Sequence, residues 1–489
     1  MATNNMSNPL KKRKSMKAIK YFVMGAVLAG FSTSAMAQDG TKADIDAVKK
    51  IISSKPADLA DQMKAFDKKN KKNAENLVAF GRAFYEAKDT ANAAKYADMA
   101  LKANKQYAPA YILKGDLQAL AEDGGGAALL YDQAIYFDPK NPEGYRKYAS
   151  VYRKIDPRGA ISKLNDLRAQ LPDYPVDAII GHINYISNNF DEAIAAYDKV
   201  PQAKLEKMDI IESAFSAYLT QKYDKGIQMA EFGLGKEPRN STLNRLAMFC
   251  NTEKGNFDKA IDYADRLFNK SDSANLSYMD YVYYGNALNG LKRHDEAIAM
   301  YNKALDQEFD NKDKRAGVIK TLSDAYKGTK DYENAIKYYE KYLNEVSKAS
   351  ASDHAGLGQL YVQHANNIED AALKLEKFKK ADDVYANLLT KYTDIEDYVA
   401  FQRARIGMYM DPESKQELAK PHYEKLVELL GNKAERDNTD NVRLVEAYRY
   451  LISYYLITKD DKNTAKEFAA KLQAIDPDNE TAKQVLELK

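Results

Sequence analysis

The sequence predicts an all-α chain, built as a solenoid of helix–turn–helix repeats. A short apolar motif returns at a nearly constant interval along most of the 489 residues. Gly and Pro, 23 and 13 residues, are too few for a loop-rich β protein. Proline also stands where helices should stop, at Asp138-Pro139, Leu171-Pro172, Glu237-Pro238 and Asp476-Pro477, because it lacks an N–H and clashes with the turn before it.

The motif is plainest in NFDEAIAAYDKV (Asn189–Val200), NFDKAIDYADRLF (Asn256–Phe268), HDEAIAMYNKAL (His294–Leu305) and DYENAIKYYEKYL (Asp331–Leu343). YDKGIQMAEFGL (Tyr223–Leu234) carries Gly226 in place of the Ala. A second helical stretch precedes each, as in AFGRAFYEAKD (Ala79–Asp89) and YVYYGNALNGLKRHD (Tyr281–Asp295). The small residue of the second helix falls at Ala93, Ala127, Ala160, Ala193, Gly226, Ala260 and Ala297, at intervals of 34, 33, 33, 33, 34 and 37, then at Ala335, Ala381, Ala419 and Ala465. The small residue of the first helix falls at Gly81, Gly115, Ala149, Gly181, Ala214, Met248, Gly285, Ser323, Gly358, Ala404 and Ser453. Met248 is large for that place. Small residues let two helices approach closely. Tyr131, Tyr197, Tyr301, Tyr339 and Tyr385 are expected to fill the space between neighbouring repeats.

This pattern resembles the tetratricopeptide repeat family, although no repeat has that family's Trp. The resemblance implies a right-handed superhelical solenoid that works as a protein-binding scaffold. Its first helices would line a concave groove.

Ahead of the repeats, Lys11, Lys12, Arg13, Lys14, Lys17 and Lys20 precede the apolar run Tyr21–Gly30 and then Ala35-Met36-Ala37. That is the three-part pattern of a secretory signal, so residues 1–37 are expected to be removed before Gln38 and the product exported to the periplasm. An uncleaved anchor is the alternative, but the apolar run is short for a membrane span. No Cys follows the cleavage site, which excludes a lipoprotein anchor. The whole chain is +2; without those six cations it is −4, which gives nucleic acid no reason to bind.

Residues 38–73 read as lead-in helices, with Ile45, Val48, Ile51 and Ile52 on one face. Repeats occupy 74–363, an insertion or joint 364–377, divergent repeats 378–479, and a capping helix 480–489. Gly124, Gly125 and Gly126 read as an inter-helix turn.

Catalytic chemistry is not announced, and the protein is not expected to be an enzyme. There is no HExxH, no GxxxxGK[ST] and no GxSxG. His182, His294, His354, His364 and His422 form no ligand spacing for a metal, and no cofactor is expected. The lone Cys250 reads as a small buried apolar residue. Carried over from the family's groove, the binding residues would be Tyr185, Met208, Ile211, Phe215, Tyr218, Arg245 and Phe249, an apolar and aromatic stretch suited to a peptide or helix. A one-residue error of frame would make them core instead. Arg146 and Arg153, seven apart on one helix face, suit an acidic segment. The family's chaperone-tail clamp needs a basic set across consecutive units that is missing. The partner is therefore expected to be a protein or peptide of the cell envelope, with self-association or membership of an assembly, secretion or polysaccharide-export complex as alternatives.

Overall fold

The computed structural model describes residues 38–488, which form 25 α-helices and no strand. The expected signal over residues 1–37 lies outside the described residues. Helices α1 (Gln38–Ser54) and α2 (Leu59–Asn70) lead in. Val48 of α1 and Met63 of α2 are buried, and Ile45, Ile51 and Ile52 pack on the same cluster.

The rest is a run of helical pairs. In the first of two compact units, which ends at Lys222, α3 (Ala74–Glu86) pairs with α4 (Thr90–Ala103) and α5 (Ala108–Leu120) with α6 (Gly124–Phe137). Then α7 (Pro142–Tyr152) pairs with α8 (Pro157–Gln170) and α9 (Val176–Ile186) with α10 (Phe190–Tyr197), and α11 (Lys207–Leu219) follows. The second unit opens with α12 (Tyr223–Lys236). It pairs α13 (Ser241–Glu253) with α14 (Phe257–Asp265), α15 (Tyr278–Gly290) with α16 (His294–Leu305), and α17 (Lys312–Gly328) with α18 (Tyr332–Glu345). Next come α19 (Ala351–Asn366) with α20 (Ala371–Leu388), α21 (Glu396–Met410) with α22 (Lys420–Gly431), and α23 (Asn438–Ser453) with α24 (Lys462–Ile475). The closing helix is α25 (Glu480–Leu486), which buries Ala482 and Val485 against the last pair.

One turn chemistry joins most pairs. Lys88, Glu122, Asn188, Gly255, Lys292 and Lys330 sit in the left-handed region, with φ between 59° and 76°. The next N–H reaches back five residues, as from Asp89 to Phe84 O (2.9 Å), Asp123 to Gln118 O (3.0 Å) and Asp331 to Tyr326 O (3.0 Å). That bond closes the first helix in a Schellman motif. The same residue opens the second helix. The Asp89, Asp123 and Asp331 carboxylates accept from the N–H groups of Asn92, Gly126 and Asn334. Gly124–Gly126 are therefore not the turn: they form the first helical residues of α6, and Glu122 takes the left-handed place.

The glycines of the first helices have a different use from the one expected. A Cβ on Gly181 or Gly285 would lie 2.7 or 2.6 Å from the ring of Tyr197 or Tyr301, sixteen residues on. The tyrosine thus packs on its own hairpin's glycine and also reaches the next repeat as expected, Tyr197 donating to Glu212 of the following first helix and Tyr301 packing with Val318 and Leu322. Its hydroxyl stays satisfied: Tyr131 donates to Asp116 and Tyr301 to Asn286, each at 2.8 Å. Close backbone approach does hold at Gly81, whose Cβ would meet Ala93 O at 3.2 Å, and Ser323 Oγ donates to Ala335 O at 2.6 Å. Met248 is accommodated and fully buried.

Two assignments near the C-terminus shift. Gly407, one turn beyond Ala404, is the close-contact residue: its Cβ would lie 2.7 Å from Ala419 N. Ser453 is exposed, because the buried face of α23 runs through Leu444, Ala447, Tyr448, Leu451 and Ile452 and leaves it outside; a π-helical turn over Tyr454–Thr458 follows it. Residues 364–377 are mostly helical, since α19 continues to Asn366 and α20 begins at Ala371. The extra length therefore extends the hairpin.

Candidate functional site

The first helices of successive repeats carry the candidate residues, and each unit uses them differently. In the first unit, buried Asp116 of α5 accepts from Lys147 Nζ (2.7 Å), Tyr131 OH (2.8 Å) and Arg82 Nη1 (3.3 Å). Three donors compensate the desolvation of one carboxylate. Three repeats on, buried Glu212 of α11 accepts from Tyr197 OH at 2.5 Å and meets His182 Nδ1 at 3.0 Å. Burial, and then the Glu212 charge, push the Tyr185 and Tyr197 hydroxyls above their ordinary pKa, so both stay protonated.

Beside that polar pair lies an apolar ledge. The Tyr185 ring meets Phe190 and Phe215 edge-on, at 6.1 and 6.3 Å, and Phe215 meets Tyr218 at 6.3 Å. Tyr185, Ile211 and Phe215 are half-buried, and Met208 is 58% exposed. Tyr218 departs from the expectation. It is only 8% exposed, so it supports the ledge from beneath.

Arg146 is exposed and makes no ion pair or hydrogen bond among the described residues. Arg153 caps the C-terminal end of α7 and donates to Ser150 Oγ at 3.3 Å. They share a helix face, one free and one partly engaged.

In the second unit the expected site residues are closed off. Phe249 is 5% exposed, and its ring stacks on Tyr283 at 3.9 Å. Arg245 grips buried Asp280 with Nε at 2.5 Å and Nη2 at 3.0 Å, and also donates to Asn275 O at 2.9 Å. Both are therefore structural here, because the following repeat supplies a ring and a carboxylate to meet them. Sequence reasoning missed Asp116, Glu212 and Asp280. Their signal is an acid 30 to 35 residues after a basic side chain on the preceding first helix, as in His182–Glu212, Arg82–Asp116 and Arg245–Asp280.

Cys250 is buried, and burial pushes its thiol up to about 12, so it is not a nucleophile at neutral pH. The His294 Nδ1 lies 2.6 Å from Asn289 Oδ1, and His364 stacks on Tyr332 at 5.7 Å. Among the described residues no group of three His, Cys, Asp or Glu is placed to hold a metal, and no helix is long and apolar enough to cross a membrane.

Family models of the tetratricopeptide repeat match residues 278–344 and 78–142, one stretch in each unit. Both units therefore carry tetratricopeptide repeats. Among solved structures it is similar to the C-terminal part of a TPR repeat-containing protein from Cytophaga hutchinsonii, with 24% identity over 57% of this chain and 100% of that one, at a TM-score of 0.47. It is also similar to a tetratricopeptide repeat protein from Parabacteroides merdae, with 17% identity over 52% and 98% of the two chains and a TM-score of 0.33. A third is YrrB, described as a TPR protein with an unusual peptide-binding site, with 16% identity over 37% and 94% and a TM-score of 0.30. No curated protein sequence matches the chain. The repeats support a protein–protein interaction scaffold, and no catalytic family is matched.

Proposed function

We propose that this protein is an exported scaffold, which holds a peptide or helical segment of a cell-envelope protein on the first-helix face of its repeats. The observation that carries this reading is the ledge of Tyr185, Met208, Ile211 and Phe215. These apolar side chains stay partly exposed on a face where the neighbouring polar groups of His182 and Glu212 already meet each other. Clustered exposed aromatics and Met favour protein contact. Export is supported by the basic, apolar and Ala-x-Ala order of residues 11–37.

Crosslinking in intact cells, followed by mass spectrometry, tests the partner. The triple variant Tyr185→Ala, Met208→Ala, Phe215→Ala should lose crosslinks to other envelope proteins while keeping a cooperative thermal melt. Recovery of self-links alone would instead favour a self-associating module. N-terminal sequencing of the periplasmic fraction tests export, with Gln38 expected as the first residue.

A further inference from the structure

In two repeats the second-helix tyrosine finds its acceptor at the same place. Tyr131 donates to Asp116 and Tyr301 to Asn286, each at 2.8 Å and across 15 residues. Asp116 follows Gly115 and Asn286 follows Gly285, so the acceptor stands one residue after the small residue of the first helix. In both repeats the accepting atom is an oxygen.

The pair α21–α22 keeps the spacing and changes the atom. Tyr423 donates across the same 15 residues to Met408, one residue after Gly407, with its Oη 3.0 Å from Sδ. Among the described residues no other methionine sulfur receives a hydrogen bond. A thioether is a weak acceptor. Tyr423 is fully buried, and burial and then the Glu446 charge raise its hydroxyl above the ordinary pKa, so it keeps a hydrogen to donate. That hydrogen is shared. Glu446 Oε1 lies 2.9 Å from the hydroxyl and is itself met by Arg405 Nε at 3.4 Å. Met408 is 38% exposed, so a small oxidant reaches it from solvent. Cys250, the chain's one thiol, is buried and protonated and does not compete.

We propose that Met408 is a site of oxidation to methionine sulfoxide by peroxide, and that the new oxygen accepts from the Tyr423 hydroxyl as the Asp116 and Asn286 oxygens accept in their own repeats. A sulfur lone pair attacks one oxygen of hydrogen peroxide, and the S–O bond forms as the O–O bond breaks. The proton on the attacked oxygen passes to the departing hydroxide, which leaves as water. Sulfur gives up two electrons and the peroxide takes them. The unbranched side chain turns the oxygen to the waiting hydroxyl. Oxidation thus makes an apolar point on the exposed side of α21 polar while the buried tyrosine stays satisfied. The site lies in the second unit and does not rest on the reading of the Tyr185–Phe215 ledge.

Hydrogen peroxide treatment of the folded chain, followed by peptide mass spectrometry and thermal melts, tests the proposal. The dose is raised until Met208, 58% exposed, carries one added oxygen, and Met408 should carry one too. Met408→Leu, alone and combined with Tyr423→Phe, reports what oxidation of the other methionines does to the melt. Against that baseline, the oxidation-induced change in melting temperature should be about 2–4 °C more favourable in the wild type than in Tyr423→Phe, as expected for one hydrogen bond. Met408→Gln supplies an oxygen with no oxidant. Its melting temperature relative to Met408→Leu should show the same dependence on the Tyr423 hydroxyl. Either of two results overturns the assignment: Met408 left unmodified when Met208 is oxidised, or changes that are equal with and without that hydroxyl.

Discussion

The ledge on α9 and α11 and the equivalent surface on α13 come from the same kind of sequence yet end in opposite states. Both place aromatic residues and a polar group on the exposed side of a first helix. On α13, Tyr283 covers Phe249 and Asp280 captures Arg245, from 34 and 35 residues further along. On α9 and α11 the next-repeat contacts satisfy His182 and edge Tyr185, while Met208 remains open. A first helix does not decide its own surface chemistry. The residues one repeat later do, since stacking places them against it.

The largest expected effect separates the two directly. Phe249→Ala should destabilise the protein by about 3–5 kcal/mol, as for a fully packed ring, whereas Phe215→Ala should cost at most about 2 kcal/mol. Urea unfolding midpoints of the two variants compare them, and equal losses would erase the distinction. Asp280→Asn comes next. It strands Arg245 against a neutral group and should cost about 2–3 kcal/mol. Arg146→Ala, with no partner to strand, should stay within about 0.5 kcal/mol.

A smaller effect follows pH. Burial works to raise the Asp353 carboxyl, but hydrogen bonds from Lys320, Ser350 and Tyr342 outweigh it and hold the group well below the usual carboxylate range. Its contribution is therefore fully present above the unfolded carboxylate value of about 3.9 and is lost as the pH falls below it. Asp353→Asn should flatten the acid side of the stability profile by on the order of 1 kcal/mol, allowing for solvent screening. Thermal melts from neutral to acid pH measure it. The smallest effect is a control. Lys88→Gly in the first unit and Lys292→Gly in the second relieve the same left-handed strain, so each should gain from a few tenths to about 1 kcal/mol. Unequal gains would place part of the difference between the units in their turns.

The repeats were legible because Ala93, Ala193, Ala297 and their counterparts must be small wherever helices cross, and they are fully buried. The turn was harder to read. Glycine normally marks a left-handed residue, but here Lys88, Glu122, Lys292 and Lys330 adopt it, and the glycine run that starts two residues after Glu122 is helical. Ser453 was misplaced because it is small but lies outside the stripe of Leu444, Ala447, Tyr448 and Leu451 that α23 buries. Phe215 and Tyr185 were found partly exposed, whereas Phe249 is buried and Arg245 is taken up by Asp280. Periodicity gives the face of a helix and says nothing of what the following repeat lays upon it.

The turn that closes one helix and caps the next has a consequence for how the chain acquires its shape. Every bond in it, from Asp89 to Phe84 or from Asn92 to Asp89, spans five residues or fewer. A hairpin therefore needs nothing distant to set its angle, and its neighbour lies only one repeat away. Such a chain can order itself from the first helix to emerge, each pair becoming the template for the next. A break anywhere along the sequence should then leave the earlier pairs standing.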